Sequence, residues 1–170
     1  KRVELLAQAL ALLSGWKGKI HWVHFGGGQG LEELKTYAAE HLAFLEAEFP
    51  GPVQNEALMR YYQTHHVDWF VNTSSSEGLP VSIMEACSFG IPAIATDVGG
   101  TSELVREGET GILLPADFRP EDLADLLKRL AGRNRKENAA MRARCRQVWQ
   151  ESFCGETNFA RFAQEIQPGV

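Results

Sequence analysis

The 170-residue sequence lacks any apolar run near the roughly 20 residues that a membrane-crossing helix needs. It lacks a positive excess as well. Seventeen Lys and Arg against 22 Asp and Glu leave a net charge of −5, so the overall balance does not suggest a nucleic-acid partner. Cysteine is scarce: Cys87, Cys145 and Cys154 form no CxxC pair, which reads as a reduced, cytosolic protein without a disulfide framework. Internal repeats and low-complexity linkers are missing. So is an initiator Met, and the chain is therefore read as a fragment from which targeting signals could have been cut.

What is present is an ordinary globular composition, 44% hydrophobic and 23% charged, in one domain long enough to bury a core. Helical spacing over 2–13 ends at Ser14-Gly15, and IHWVHF (20–25) has the aromatic and β-branched content of a strand. GGGQG (26–30) leads to a helix expected over 31–45. FPGPV (49–53) reads as a brief strand or turn, with Asn55 as N-cap of the next helix. VDWFVN (67–72), IPAIAT (91–96) and GILLP (111–115) are further strands. Between them lie the helix PVSIMEACSF, with Pro80 at its first position and Gly90 at its end, and the short helix TSELVRE capped by Thr101. Residues 120–170 read as a helical tail.

Strands separated by helices imply right-handed crossovers and an α/β domain with a doubly wound parallel sheet. Ligands of such sheets bind outside the carboxyl ends of the strands. The loops GGGQG, TSSSEGLP and TDVGG all leave carboxyl ends and are expected to face one cleft.

The stretch SEGLPVSIMEA holds Glu77 and Glu85 among mostly apolar or small residues. A buried, unpaired carboxylate costs several kcal/mol or takes up a proton, so Glu85 needs donors. A vicinal diol such as a ribose offers two at the right spacing, and the unpaired N–H groups near Leu79 to Ser82 at the helix start favour an anion. A nucleoside diphosphate joined to a sugar carries those parts in that order. The alternative stays open that Glu85 faces solvent and Glu77 is a loop charge.

The run SSSEGLPVSIMEACSFGIPAIATDVGGTSELVREGETGILLP resembles the signature of the family 4 (group 1) retaining glycosyltransferases of GT-B architecture, whose hallmark is two glutamates separated by seven residues. KRVELL, GGGQGLEEL, GPVQNEALMRYYQ and VWQESFCGETNFARFAQEI resemble further segments of its C-terminal, Rossmann-like half. Gly27 and Gln29 depart from the common Asp and Pro, and GLPVS departs from GFGLP. The resemblance implies that this chain is the nucleotide-sugar-binding half, without the N-terminal acceptor domain and the first strand. It also implies that Glu85 binds ribose hydroxyls. Glu77 would bind sugar hydroxyls together with the backbone of Gly78, Leu79, Pro80 and Val81. Gly51 and Val53 would read the base edge, and Lys1 would neutralise the diphosphate.

The implied reaction is sugar transfer to an acceptor hydroxyl with retention. The chain has no Asp-x-Asp, so neither a metal nor another cofactor is expected. The implied partners are a nucleotide-sugar and, through the absent domain, an acceptor glycan or lipid-linked glycan. The implied setting is polysaccharide or glycoconjugate synthesis at the cytoplasmic face, with peripheral membrane association left open. Two competing functions are a non-catalytic nucleotide-sugar-binding module and a glycoside hydrolase using Glu77 and Glu85.

Other features carry weaker signals. Gly26 and Gly28 belong to a loop that either approaches a ligand or makes a tight turn, since Leu31 stands where the dinucleotide fingerprint needs a third glycine. Gly99-Gly100 is an anion nest or a packing site. His65-His66 lacks the i, i+4 spacing of helical metal ligands, and His24 ends a strand beside the glycines. The basic stretch 128–146 is a solvated face or a contact for anionic lipid.

Overall fold

In the computed structural model, which describes residues 1–165, apolar residues at helical spacing make α1 (Val3–Ala11) and bury its Leu6, Ala7, Ala9 and Leu10. β1 (His21–Phe25), α2 (Leu31–His41) and β2 (Glu46–Gly51) follow, and then α3 (Asn55–Thr64) and β3 (Phe70–Asn72). The rest of the described chain is α4 (Val81–Ser88), β4 (Ala93–Thr96), α5 (Thr101–Leu104), β5 (Gly111–Leu114), α6 (Pro120–Ala131), α7 (Arg135–Ser152) and α8 (Gly155–Glu165). Residues 166–170, the end of the expected tail, lie outside the described residues.

All strand pairs are parallel, as the alternation of strands and helices predicts. The expected single sheet is divided, however. β1 pairs with β2 in one sheet, and β3, β4 and β5 line up in a second, with no described strand bridging β1 and β3. The three-stranded sheet is covered on both faces. Ile94 of β4 enters a core with Leu6 and Leu10 of α1 and Leu123 of α6, while its neighbours Ala93 and Ala95 face Ile83 of α4 and Cys145 of α7. That strict alternation is the period of two that sends successive side chains to opposite faces. The two-stranded sheet sends Trp22, Ala47 and Phe49 into the first core and leaves His21, Glu46 and Glu48 exposed on the other side.

Local boundaries shift for identifiable reasons. β2 begins three residues earlier than the sequence suggests, because Ala47 and Phe49 face inward between exposed Glu46 and Glu48. Pro80 is the N-cap of α4 rather than its first residue, and its extended ψ of 100° sets the turn into the helix. Gln54, not Asn55, is the N-cap of α3. Gly100, not Thr101, caps α5, and the Thr101 hydroxyl donates back to the Val98 carbonyl at 2.7 Å.

Candidate functional site

The sequence-derived residues gather where the strands end. The Gly26 amide, just beyond β1, donates to the Gly51 carbonyl at the end of β2, 3.0 Å away. Gly26 at φ +151°, Gly28 at φ +122° and Gly51 at φ +80° hold conformations that a side chain would strain, so these two loops lie against each other as nearly bare backbone. Val53, 37% exposed, leads from Gly51 into α3.

Asn55, released from capping, reaches across to α4, where its Nδ2 donates to Glu85 Oε1 at 2.5 Å. Glu85 is half-buried in the second turn of α4, and its Oε2 accepts nothing from the described residues. The carboxylate is felt next door on α3. Burial raises the Tyr62 hydroxyl pKa to about 12, helped by the negative charge of Glu85 and by Tyr61.

Glu77 is held more tightly. Its side chain is 15% exposed and forms an ion pair with Lys1 Nζ. Asn72 Nδ2, at the end of β3, donates to the same Oε1 at 3.0 Å. Burial pushes the Glu77 pKa up, but the hydrogen bonds from Lys1 and Asn72, the nearby Ser74 hydroxyl and the Lys1 charge outweigh it, and the net pKa falls to about 2.

The loop that carries Glu77 rests on the loop after β4. The Gly100 amide donates to the Gly78 carbonyl at 2.9 Å. Gly99, at φ +55°, comes so close that a Cβ placed on it would lie 1.8 Å from the Glu77 carbonyl oxygen. Gly99-Gly100 is thus a packing site for backbone, and of the two readings open in the sequence this is the one the contacts support. Beyond Gly78, Leu79 and Val81 are 42% and 58% exposed on either side of buried Pro80. The amides of Leu79, Val81 and Ser82 find no acceptor among the described residues.

Two groups therefore form. One joins Gly26, Gly28, Gly51 and Val53; the other joins Lys1, Glu77, Gly78, Leu79, Pro80 and Val81. The Asn55–Glu85 bond connects α3, which follows the first group, to α4, which follows the second. Among these contacts, the roles of Asn55, Asn72 and Arg2 are not apparent from the sequence. Asn72 is signalled only by being a polar residue that closes an apolar strand. Arg2 spends its guanidinium on the carbonyls of Thr73 (3.0 Å), Ala116 (2.8 Å) and Ser74 (3.3 Å), and it lies over the Phe118 ring at 5.4 Å. It ties the start of α1 to loops after β3 and β5, and nothing in the sequence distinguishes it from a surface arginine.

The histidines and the basic stretch have structural partners. His24 packs with Trp22 and Phe49, and burial lowers its pKa. His65 stacks flat on Tyr61 at 4.0 Å. Much of the basic stretch is paired: Lys128 with Asp125, Arg133 with Glu137 and Arg144 with Glu109. His21, Glu46 and Glu48 have ligand atoms within 4.8 Å of one another, but they stand at the amino ends of their strands, away from the glutamates. No described helix is long and apolar enough to cross a membrane.

The depressed Glu77 pKa sets a pH window. With the folded value near 2 and the ordinary value 4.5, its contribution is complete above pH 4.5 and disappears as pH falls toward 2. Thermal melting of the protein and of Glu77→Gln should therefore differ at pH 6, with the native protein more stable, and converge between pH 4.5 and 2. A gap as wide at pH 2.5 as at pH 6 contradicts the ion-pair assignment.

The profile of the family described as "Glycosyl transferases group 1" matches residues 1–148. The O-antigen biosynthesis glycosyltransferase WbnH of Escherichia coli is 39% identical over 106 residues, which cover 62% of this chain and 28% of that protein. The apo structure of the lipopolysaccharide outer core galactosyltransferase WaaB superimposes with a TM-score of 0.78 at 25% identity, over 98% of this chain and 44% of that one. Anabaena HepE, solved with UDP and glucose, shares the fold at a TM-score of 0.77 and 21% identity, over 98% of this chain and 44% of that one. This chain thus spans less than half the length of each of these three proteins.

Proposed function

The chain belongs to the group 1 glycosyl transferases, and from that premise we propose that it is the donor-binding half of an enzyme that moves a sugar from a nucleoside diphosphate to an acceptor hydroxyl, with retention at the anomeric carbon. The observation that carries this reading is Glu85, in the second turn of α4, oriented through one oxygen by Asn55 and with its other oxygen unbonded among the described residues. A ribose diol can donate to that oxygen while the unpaired amides at the start of α4 face the diphosphate. Gly51 and Val53, which lead into α3, would read the base edge.

Glu77, ionised at any pH above about 2, can accept hydrogen bonds from sugar hydroxyls but has no proton to give near neutrality. It acts as a positioning group for the sugar. The same low pKa counts against a hydrolase, whose general acid needs a raised value. Lys1, paired here with Glu77, would stabilise the charge that grows on the departing diphosphate. Without Asp-x-Asp the clamp is proposed to be metal-free. The names of the relatives and the UDP bound by HepE support a role in polysaccharide or glycoconjugate assembly. The acceptor, a glycan or lipid-linked glycan, is then held by another part of the enzyme. The free thiols Cys87, Cys145 and Cys154 suit the cytoplasm, and peripheral contact with the membrane's inner face is part of the same proposal.

Saturation-transfer NMR with UDP-, GDP- and ADP-glucose tests this reading. At least one should give saturable binding that the matching free nucleoside diphosphate displaces. Silence from all three overturns it.

A further inference from the structure

A well-formed cavity among the described residues lies away from the glutamates. It has a volume of about 530 Å3 and lies at the opposite, amino end of the three-stranded sheet, between α7 and the residues that enter β3 and β4. That volume is within the range of small-molecule sites. Three observations give it a chemical character.

The first is charge. Arg135 and Arg142 both line it. Arg142 spends one guanidinium N–H on the Val67 carbonyl at 2.5 Å, which fixes the group while leaving other donors free. Arg135 has no ion-pair partner among the described residues. The acid in the lining, Asp68, is already 3.2 Å from the His66 ring. The second observation is apolar surface: the Trp69 indole, Pro92 and buried Met141 contribute walls. The third is an unmet need. Asn138 projects from the same face of α7, and its Oδ1 is buried without a hydrogen-bond donor among the described residues. Buried acceptors of this kind are rare and call for an occupant or an explanation.

We propose that this cavity is a second ligand site, for a small anion that carries an apolar or aromatic body and at least one hydrogen-bond donor. The anionic end meets Arg135 and Arg142, the body lies against Trp69 and Pro92, and the donor satisfies Asn138 Oδ1. The site is separate from the donor cleft, since its strands contribute their amino ends here and their carboxyl ends there.

Phenyl phosphate, inorganic phosphate and 4-hydroxyphenyl phosphate are the probes, read by the Trp69 indole N–H resonance, which Trp69→Phe assigns. Both aryl phosphates should shift it saturably, with 4-hydroxyphenyl phosphate bound more tightly because its phenol can donate. Inorganic phosphate alone should bind at least tenfold more weakly than either. Arg135→Ala should weaken aryl phosphate binding at least fivefold. Asn138→Leu removes the unsatisfied oxygen, so it should raise the melting temperature and at the same time erase the preference for the hydroxylated probe. The proposal is overturned if no probe shifts Trp69, if inorganic phosphate binds as well as the aryl phosphates, or if Arg135→Ala binds them unchanged. An Asn138→Leu protein that keeps the preference removes the assigned role of Oδ1.

Discussion

Glu85→Ala is expected to reduce nucleotide-sugar affinity at least a hundredfold, whereas Glu77→Ala leaves nucleotide affinity within a few-fold and blurs the choice between sugars. The asymmetry follows from what each carboxylate already has. Glu77 Oε1 is taken up by Lys1 and Asn72, so its loss alters the shape and charge around the sugar. Glu85 offers an oxygen that only a ligand can use among the described groups. Two hydrogen bonds from a diol to a charged acceptor are worth about 3 kcal/mol together, or a factor above 100 in affinity. Removing the side chain also leaves the Asn55 amide without its acceptor. Asn55→Ala serves as the graded control: the carboxylate remains but loses its orientation, and affinity should fall by about tenfold or less. Isothermal titration of the three variants with the nucleotide-sugar that binds reads all of this. Equal affinities for the native protein and Glu85→Ala would remove the ribose assignment.

Gly99→Ala carries the largest expected structural effect. The residue has φ +55°, where a side chain costs about 1–2 kcal/mol. The new methyl would also meet the Glu77 carbonyl oxygen at 1.8 Å and its carbon at 2.8 Å. Those are backbone atoms, so no rotamer change relieves the collision, and overpacking of this kind costs roughly 1–3 kcal/mol more. The combined loss is about 3 kcal/mol, read as a lower urea midpoint. Displacing Glu77 from Lys1 and Asn72 should also flatten the acid dependence of stability between pH 4.5 and 2. Gly108→Ala separates the two causes. Gly108 has φ +74°, and a methyl added there would meet nothing within 4 Å, so it should show the backbone cost alone. A Gly99→Ala protein no less stable than Gly108→Ala would mean that the close approach is absent in solution.

The parts of the fold that are legible in the sequence are those with a local signature. Parallel strands alternating with helices follow from periodicity, and the position of the loops at the carboxyl edge follows from that order. The paired glutamates stand out because carboxylates are rare among apolar neighbours. β2 is harder to read: Glu46 and Glu48 disguise an alternation whose inward members are only Ala47 and Phe49. Asn55 has the residue type of a cap, because asparagine favours that position. Its actual bond to Glu85 spans 30 residues, a distance that no local propensity encodes. Arg2, Asn72 and Gly99 act through contacts made only after the loops have converged. Their residue types are visible in the sequence, but the carbonyls and carboxylates they meet are not.

The two sides of the binding edge differ in how deeply their strands are buried. β4 is buried on both sides along its whole length, and it anchors, through β3 and the clasp of Gly99 on Glu77, the half that holds the glutamates. β1 and β2 are less deeply buried, with His21, Glu46 and Glu48 exposed on one face and Phe25 covered there by Tyr61 of α3. Local opening costs least where fewest apolar contacts are broken, so amide hydrogen exchange is expected to be faster on the Gly26–Gly51 side than on the carboxylate side. On the proposed assignment of the site, recognition of the sugar and ribose is expected to be stricter than recognition of the base.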